Sequence, residues 1–325
     1  MKPYAIGIDV GGTVIKTGLV NQQGKVLAKY TTRVHSEQQP EFVIDAIAQA
    51  YLTILEQSKT PVDDIEAIGL GFGGNINGAI GLVLVSSILP AWNHIPLRDI
   101  VARRTGQRVI LENDTNVCAL GEYRYGAGRG SHNMCYVTFS TGFGIGIIIQ
   151  DRLYVGHTGT AGELGHVVIE IGGPPCSCGK KGCLMAYASS AGISRMVYEQ
   201  LETGVSTRLR RMTPPDGRYV SGEIVAEAAR QGDDLARQIL YTAGYYAGVG
   251  LSIIIQVLNP EVIVFGGGLS RIGALVMEPV QAGMWEHTQP ELLDSMQLVP
   301  WQLGDDIGII GAAANVFSTS GSFIT

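Results

Sequence analysis

Apolar residues in this chain come in short runs closed by glycine-rich turns, a pattern that predicts strands. Residues 4–9 form one such run, Gly11, Gly12 and Thr13 interrupt it, and residues 14–20 resume the extended pattern. We read this as a hairpin with a glycine-rich turn, followed by a third strand near residues 26–30. The same grammar returns mid-chain: an apolar run at 135–139, a turn of Ser140, Thr141, Gly142, Phe143 and Gly144, and a returning strand at 145–149. A third cluster, Gly266, Gly267 and Gly268, follows a buried-strand run at 262–265 and is expected to open a helix. Between the first two turns, residues 108–111 read as a strand, followed by Asn113 and Asp114 and then a helical stretch from about 117 to 125.

These turns carry chemistry or only geometry. Backbone N–H groups in a D-x-G-G-T turn can cradle phosphate, and Asp9 at the strand end can hold hydrated magnesium. The same residues also suit an ordinary hairpin. Two such units suggest a duplicated architecture gripping one polyphosphate from both sides. At the third cluster, backbone without side chains lets a flat ring approach closely. The Asn113-Asp114 pair sits where a helix N-cap sits by default.

The stretch GELGHVVIEIGGPPCSCGKKGC, residues 162–183, is more specific. His166 precedes Cys176, Cys178 and Cys183, the ligand set of a closed tetrahedral zinc site with no position open for a catalytic water. Glycines at 172, 173, 179 and 182 let a short loop wrap an ion. Cysteines are otherwise small buried apolar residues, and that alternative stays open. Glu163, three residues before His166, places a carboxylate beside the histidine, as a site for several hydroxyl groups needs.

Composition narrows the class. The 325 residues exceed the usual size of a single core, so two domains are expected. The chain is 46% hydrophobic and 16% charged, with a net charge of −6, which disfavours nucleic-acid and anionic-membrane partners. Arg208, Arg210 and Arg211 read as a solvated face. No apolar run is read as reaching membrane-spanning length, and no secretory segment is read at the start. Cys118 and Cys135 suggest no disulfide framework, so we expect a reducing cytoplasm.

Taken together, the motifs resemble the ROK group (repressors, open reading frames, sugar kinases). The resemblance runs nearly end to end, through IGIDVGGTVIK at 6–16, ENDTNVCALGE at 112–122, STGFGIG at 140–146 and GELGH at 162–166. The cysteine run, NPEVIVFGGG at 259–268 and IGAAA at 310–314 complete it. It implies a duplicated α/β fold of the actin/hexokinase-like (ribonuclease H-like) type, with two domains and an active-site cleft between them. A small domain would cover residues 1–120, with a C-terminal helix at about 305–320 returning to it, and a larger domain, 121–304, would carry the zinc. It implies an ATP-dependent sugar kinase, commonly dimeric or tetrameric. Asp114 would be the general base and Asn113 would orient the sugar, with Gly74, Glu163 and His166 also on the substrate. Asp9, Gly11, Gly12, Thr13 and Lys16 would manage magnesium and phosphates; Thr141, Gly142 and Gly144 would line the other side; Gly266, Gly267 and Gly268 would face adenosine.

Three departures matter. Where the family carries a glutamate that binds the sugar near C1 and C2, this chain has Met185; where it carries an asparagine before the tryptophan, here Trp92, it has Ile88; and the loop of Gly71, Phe72, Gly73, Gly74 and Asn75 lacks the usual Pro-Gly pair. Two polar-to-apolar changes leave hydroxyls unpaired, so glucose is expected to be a poor substrate. The alternatives are a sugar-sensing regulator, which needs a DNA-binding segment ahead of Tyr4, or a sugar-binding protein that has lost catalysis.

Overall fold

The computed structural model describes residues 1–35, 39–86, 88–214 and 219–320. They form two compact units. One comprises Met1–Tyr136, Gly146–Gly162 and Trp301–Thr325; the other comprises Val137–Ile145 and Glu163–Pro300.

In the first unit β1 (Tyr4–Val10), β2 (Val14–Asn21) and β3 (Val26–Arg33) run antiparallel. α1 (Pro40–Ser58) follows, with Pro40 in its first turn, where a missing N–H costs nothing. Val43, Ile44, Ile47, Tyr51 and Ile54 recur at helical spacing and are its buried face. β4 (Ile65–Phe72) lies parallel beside β1. β5 (Asn75–Asn77), β6 (Leu82–Val85) and β7 (Asn93–Ile95) make a small antiparallel sheet. After α2 (Leu97–Thr105) come β8 (Val109–Asn113), parallel to β4, and α3 (Asp114–Tyr125). The sheet order is β3-β2-β1-β4-β8. Phe72 and Trp92, both fully buried, stack obliquely with centroids 4.7 Å apart.

β9 (Met134–Phe139), β10 (Phe143–Ile149) and β11 (Arg152–Leu153) begin a second sheet, and the chain passes between the units within β9 and β10. Then come α4 (Ser190–Glu202), α5 (Leu209–Met212), α6 (Gly222–Arg230), α7 (Asp234–Leu258), β12 (Val262–Gly266), α8 (Ala274–Glu286), α9 (Pro290–Leu293) and β13 (Gln297–Pro300). This sheet has the order β11-β10-β9-β12-β13. Three consecutive strands in reverse followed by two later ones is the order of the first sheet, so the architecture is duplicated.

α10 (Ile307–Ser320) belongs to the first unit and lies directly on its sheet. Gly18, Gly7 and Gly69 are in register across β2, β1 and β4. A Cβ on Gly7 would sit 2.0 Å from the Ile309 carbonyl oxygen, and one on Gly69 the same distance from that of Ala312. Gly7 and Gly69 therefore let the helix backbone touch the sheet backbone, and Gly18 leaves room for the Ile309 side chain.

One expectation needs correction. α7 is, among the described residues, a helix long and apolar enough to cross a membrane. Most of its apolar stretch is buried inside the protein, through Ala236, Ile239, Leu240, Ala243, Ala247, Leu251 and Ile255, which is the behaviour of a core helix.

Candidate functional site

The residues singled out from the sequence fall into two groups, one on each unit. In the first unit β1 delivers Asp9 opposite Lys16 of β2, and the turn between them closes through Gly11 N–H to the Val14 carbonyl at 3.0 Å. Lys16 Nζ donates to the Asp305 carbonyl at 3.1 Å. The first turn of α10 abuts Asp9, since a Cβ on Gly308 would lie 2.4 Å from its Oδ2. A helix N-terminus at this point favours negative charge, whether carboxylate or phosphate. Burial, and then the Asp114 carboxylate, push Asp9 up to about 6, with Lys16 pulling the other way.

Asn113 ends β8 and caps α3. Its Oδ1 accepts from the N–H groups of Thr115 (2.9 Å) and Asn116 (3.1 Å), and its Nδ2 donates to the Gly74 carbonyl at 3.0 Å. Because the cap is satisfied at once, α3 begins at Asp114 rather than near residue 117, and β8 runs to Asn113 rather than stopping at 111. Asp114 Oδ1 accepts from Thr115 N–H at 2.8 Å, while Oδ2 faces Gly73, 3.2 Å from where a Cβ would stand. Burial raises the Asp114 pKa, opposed by the hydrogen bonds from Thr115.

Ile88 stands beside this group. Its Cδ1 would lie 2.4 Å from a Cβ on Gly73, and its Cβ 3.3 Å from one on Gly12. An apolar side chain thus fills the space between the first glycine turn and the loop facing Asp114. Ser86 holds that loop, donating from Oγ to the Gly73 carbonyl at 2.7 Å.

Two buried glutamates escaped the sequence reading. Glu112 Oε1 accepts from the Asn113 N–H (2.8 Å) and Asn116 Nδ2 (2.9 Å), clamping the start of α3. Glu122 is fully buried and accepts from the N–H groups of Ala127, Gln302 and Leu303 at 2.7–2.9 Å, fixing the approach to α10. For Glu112 the available signal was a carboxylate inside a mostly apolar strand.

In the second unit the turn after β9 closes through Ser140 N–H to the Gly142 carbonyl at 3.0 Å. Thr141 is exposed at its tip. Phe143 and Gly144, expected in this turn, already belong to β10, because Phe143 packs against Phe139 with ring centroids 5.8 Å apart. Met185 adjoins the turn: its Sδ would be 3.4 Å from a Cβ on Gly142, and its Cβ 3.4 Å from one on Gly165.

Glu163 precedes a 3-10 turn, Leu164–His166, and its Oε2 lies 3.9 Å from His166 Nε2. The other ring nitrogen, Nδ1, is 3.6 Å from Cys176 Sγ, and Cys178 Sγ is 3.7 Å from Cys183 Sγ. All four donor atoms lie within 4.8 Å of one another. Zinc bonds of about 2.3 Å to sulfur in a tetrahedron put two thiolates ~3.8 Å apart, so this donor set fits the ion in both chemistry and spacing. Cys176 N–H to Lys180 O (2.8 Å) and Gly182 N–H to Pro174 O (2.8 Å) shape the loop. Gly182 must be glycine, having φ +72° and a Cβ position 1.7 Å from the Glu170 carbonyl. A backbone N–H from Lys180 lowers the Cys178 thiol, while burial pushes Cys183 up to about 12.

β12 ends at Gly266. Gly267, with φ +93°, passes so close to β9 that a Cβ would meet the Phe139 carbonyl at 2.4 Å, whereas the space over Gly268 is open. The helix expected here is only a 3-10 segment, Gly268–Ile272; α8 starts two residues later. A cavity of about 290 Å³ opens beside it, lined by Gly268, Arg271, Ile272 and one face of α6 through Glu223, Ala226 and Arg230.

The sequence profile of the ROK family matches residues 5–318. The chain belongs to the ROK family. It is 36% identical over 309 residues to the glucokinase of Thermotoga maritima, covering 95% of this chain and 96% of that one. A ROK family glucokinase from Streptomyces griseus, solved in complex with glucose and AMPPNP, superposes with a TM-score of 0.82 at 33% identity over 97% of this chain and 99% of that one. The xylose repressor of Bacillus subtilis is 27% identical, over 96% of this chain and 77% of the repressor.

Proposed function

We propose that the protein is an ATP-dependent sugar kinase in which Asp114 accepts the proton of the attacking hydroxyl. The observation that carries this is the environment of Asp114: a carboxylate of raised pKa at the first residue of α3, facing Gly73 and electrostatically coupled to Asp9 at the glycine turn. A base poised closer to neutrality suits proton removal.

In this reading the acceptor oxygen attacks the γ-phosphorus, its proton passes to Asp114, and ADP leaves. Asn113 and Gly74, already joined by a hydrogen bond, orient the sugar, and Glu163 and His166 bind further hydroxyls. Asp9, the backbone of Gly11, Gly12 and Thr13, and Lys16 handle the phosphates, where magnesium supplies charge neutralisation when bound. Thr141, Gly142 and Gly144 meet the phosphates from the second glycine turn. Gly266, Gly267 and Gly268, with the cavity beside α6, take adenosine. Phosphoryl transfer asks mainly for alignment and charge stabilisation, so these groups suffice. His166, Cys176, Cys178 and Cys183 would hold a structural zinc ion that would contribute rigidity to this loop, with His166 Nδ1 on the cysteine side and Nε2 beside Glu163. A homodimer or homotetramer in the cytoplasm completes the proposal.

The test is a coupled ADP-release assay across hexoses, amino sugars and N-acetyl sugars. Sugar-dependent ADP release is expected; its absence across the panel overturns the reading.

A further inference from the structure

Ile88 lies between two parts of the first unit that the proposed transfer uses. On one side is the first glycine turn: a Cβ on Gly12 would be 3.1 Å from the Ile88 carbonyl oxygen and 3.3 Å from the Ile88 Cβ. On the other side is the loop that faces the base. Ile88 Cδ1 and Asp114 Oδ2 both reach the small space beside Gly73, 2.4 and 3.2 Å from where a Cβ on that glycine would stand. A side chain at position 73 would therefore push Ile88 aside.

The placement is firm. Ile88 packs on the buried core that contains Phe72, Leu89 and Trp92. Ser86 Oγ donates to the Gly73 carbonyl at 2.7 Å and accepts from the Leu89 N–H at 3.2 Å, so one hydroxyl joins the segment carrying Ile88 to the loop beside Asp114. Burial is the largest cause of the raised pKa of Asp114, as expected of a carboxylate with an apolar neighbour.

A base that takes the proton of a sugar hydroxyl can also take that of water. In that side reaction the water oxygen bonds to the γ-phosphorus while the bond from phosphorus to the bridging oxygen breaks. One water proton passes to Asp114, and ADP and inorganic phosphate leave. A sugar hydroxyl is held in place by contacts elsewhere on its ring. A lone water depends on the polar partners around it, ordinarily about three. The Ile88 side chain offers none. We propose that Ile88 is a shield that keeps water out of the gap between the first glycine turn and Asp114, so that the phosphoryl group goes to the sugar and not to water. It acts through Asp114 and takes no part in bond making. The inference rests on the sugar-kinase reading and deepens it, since it makes Ile88 a determinant of which acceptor reacts.

Ile88→Val and Ile88→Thr have nearly the same shape and differ in a hydroxyl, and the half-buried position accommodates both. Ile88→Ala opens the space outright. The readouts are ADP and inorganic phosphate released from magnesium ATP without sugar, and sugar phosphate formed per ADP across the sugar panel, with melting temperature as the fold control. Hydrolysis without sugar should stay low in the native protein and in Ile88→Val. It should rise by about tenfold in Ile88→Thr and Ile88→Ala, with less sugar phosphate per ADP. Hydrolysis that stays at the native level in both of these variants overturns the shield while the kinase reading stands. So does a fall in sugar phosphorylation with no gain in hydrolysis, which marks a merely structural residue. If the native protein phosphorylates no sugar, the kinase reading falls. The shield then survives only if Ile88→Thr and Ile88→Ala hydrolyse ATP faster than the native protein, and it falls with the kinase reading if they do not.

Discussion

Asn113 Nδ2 donates to the Gly74 carbonyl at 3.0 Å. This single bond ties the start of α3 to the glycine loop, so the residue that follows, Asp114, is held against Gly73 by two elements rather than one. The side chain that caps the helix also sets the geometry of the proposed base.

Asp114→Asn should abolish turnover while the fold persists, because the amide keeps the side-chain shape but cannot take the proton. Loss of a general base costs roughly 10²–10⁴-fold in kcat. Steady-state ADP release measures it, with circular dichroism as the fold control. Activity within a few-fold of native would remove Asp114 from this role.

Zinc should be present at one ion per chain. The Cys178–Cys183 spacing of 3.7 Å matches the tetrahedral ion, and Cys178→Ser takes away one ligand. That variant should bind less metal and melt at lower temperature, since a structural zinc contributes folding energy directly. Elemental analysis of native protein and melting with and without chelator decide the matter. Zinc-free protein indifferent to chelator contradicts the assignment.

Met185→Glu should raise kcat/KM for glucose. Met185 adjoins Gly142 and Gly165, and a carboxylate there can accept from a sugar hydroxyl that a thioether leaves unpaired. One recovered hydrogen bond of about 1.4 kcal/mol gives roughly tenfold. A variant no better on glucose than the native protein refutes the specificity argument.

Asp233 should make stability depend on acidity. It caps α7, accepting from Ala236 N–H (2.9 Å), Thr207 Oγ1 (2.7 Å) and Arg208 N–H (2.6 Å). Burial pushes its pKa up, but these donors outweigh burial and the net shift is downward. A lowered carboxylate contributes stability that is fully present above its unfolded value near 4 and is lost as pH falls through the folded one. Asp233→Ala should therefore cost about 0.5–2 kcal/mol at pH 7, the usual worth of a helix cap, and much less near pH 3. Denaturant titrations at the two pH values read the difference; an equal cost at both rejects the ionised cap.

Much of the site was legible before folding. The two glycine turns, the strand leading to Asn113 and the cluster of His166, Cys176, Cys178 and Cys183, all of them parts of the candidate site, lie within short segments, where spacing alone brings the groups together. Element boundaries were less legible. α3 started early because Asn113 spends its own side chain on the cap, and β10 began at Phe143 because that ring finds Phe139 on the neighbouring strand. Propensity does not reveal either contact.

The longer-range relationships belonged to the tertiary structure. Gly7, Gly18 and Gly69 look like weak strand residues in the sequence; only the arrival of α10 from far along the chain explains them. Ile88 read as a departure from the family pattern, and the fold shows it filling the space between Gly12 and Gly73. Glu112 and Glu122 are ordinary acidic letters until burial requires each to be satisfied by backbone and amide donors. The physical division is one of range. Periodicity, turn chemistry and ligand spacing act over a few residues and can be read from the chain. Close packing and the pairing of buried polar groups join residues far apart in sequence, and they take effect only when the chain has folded.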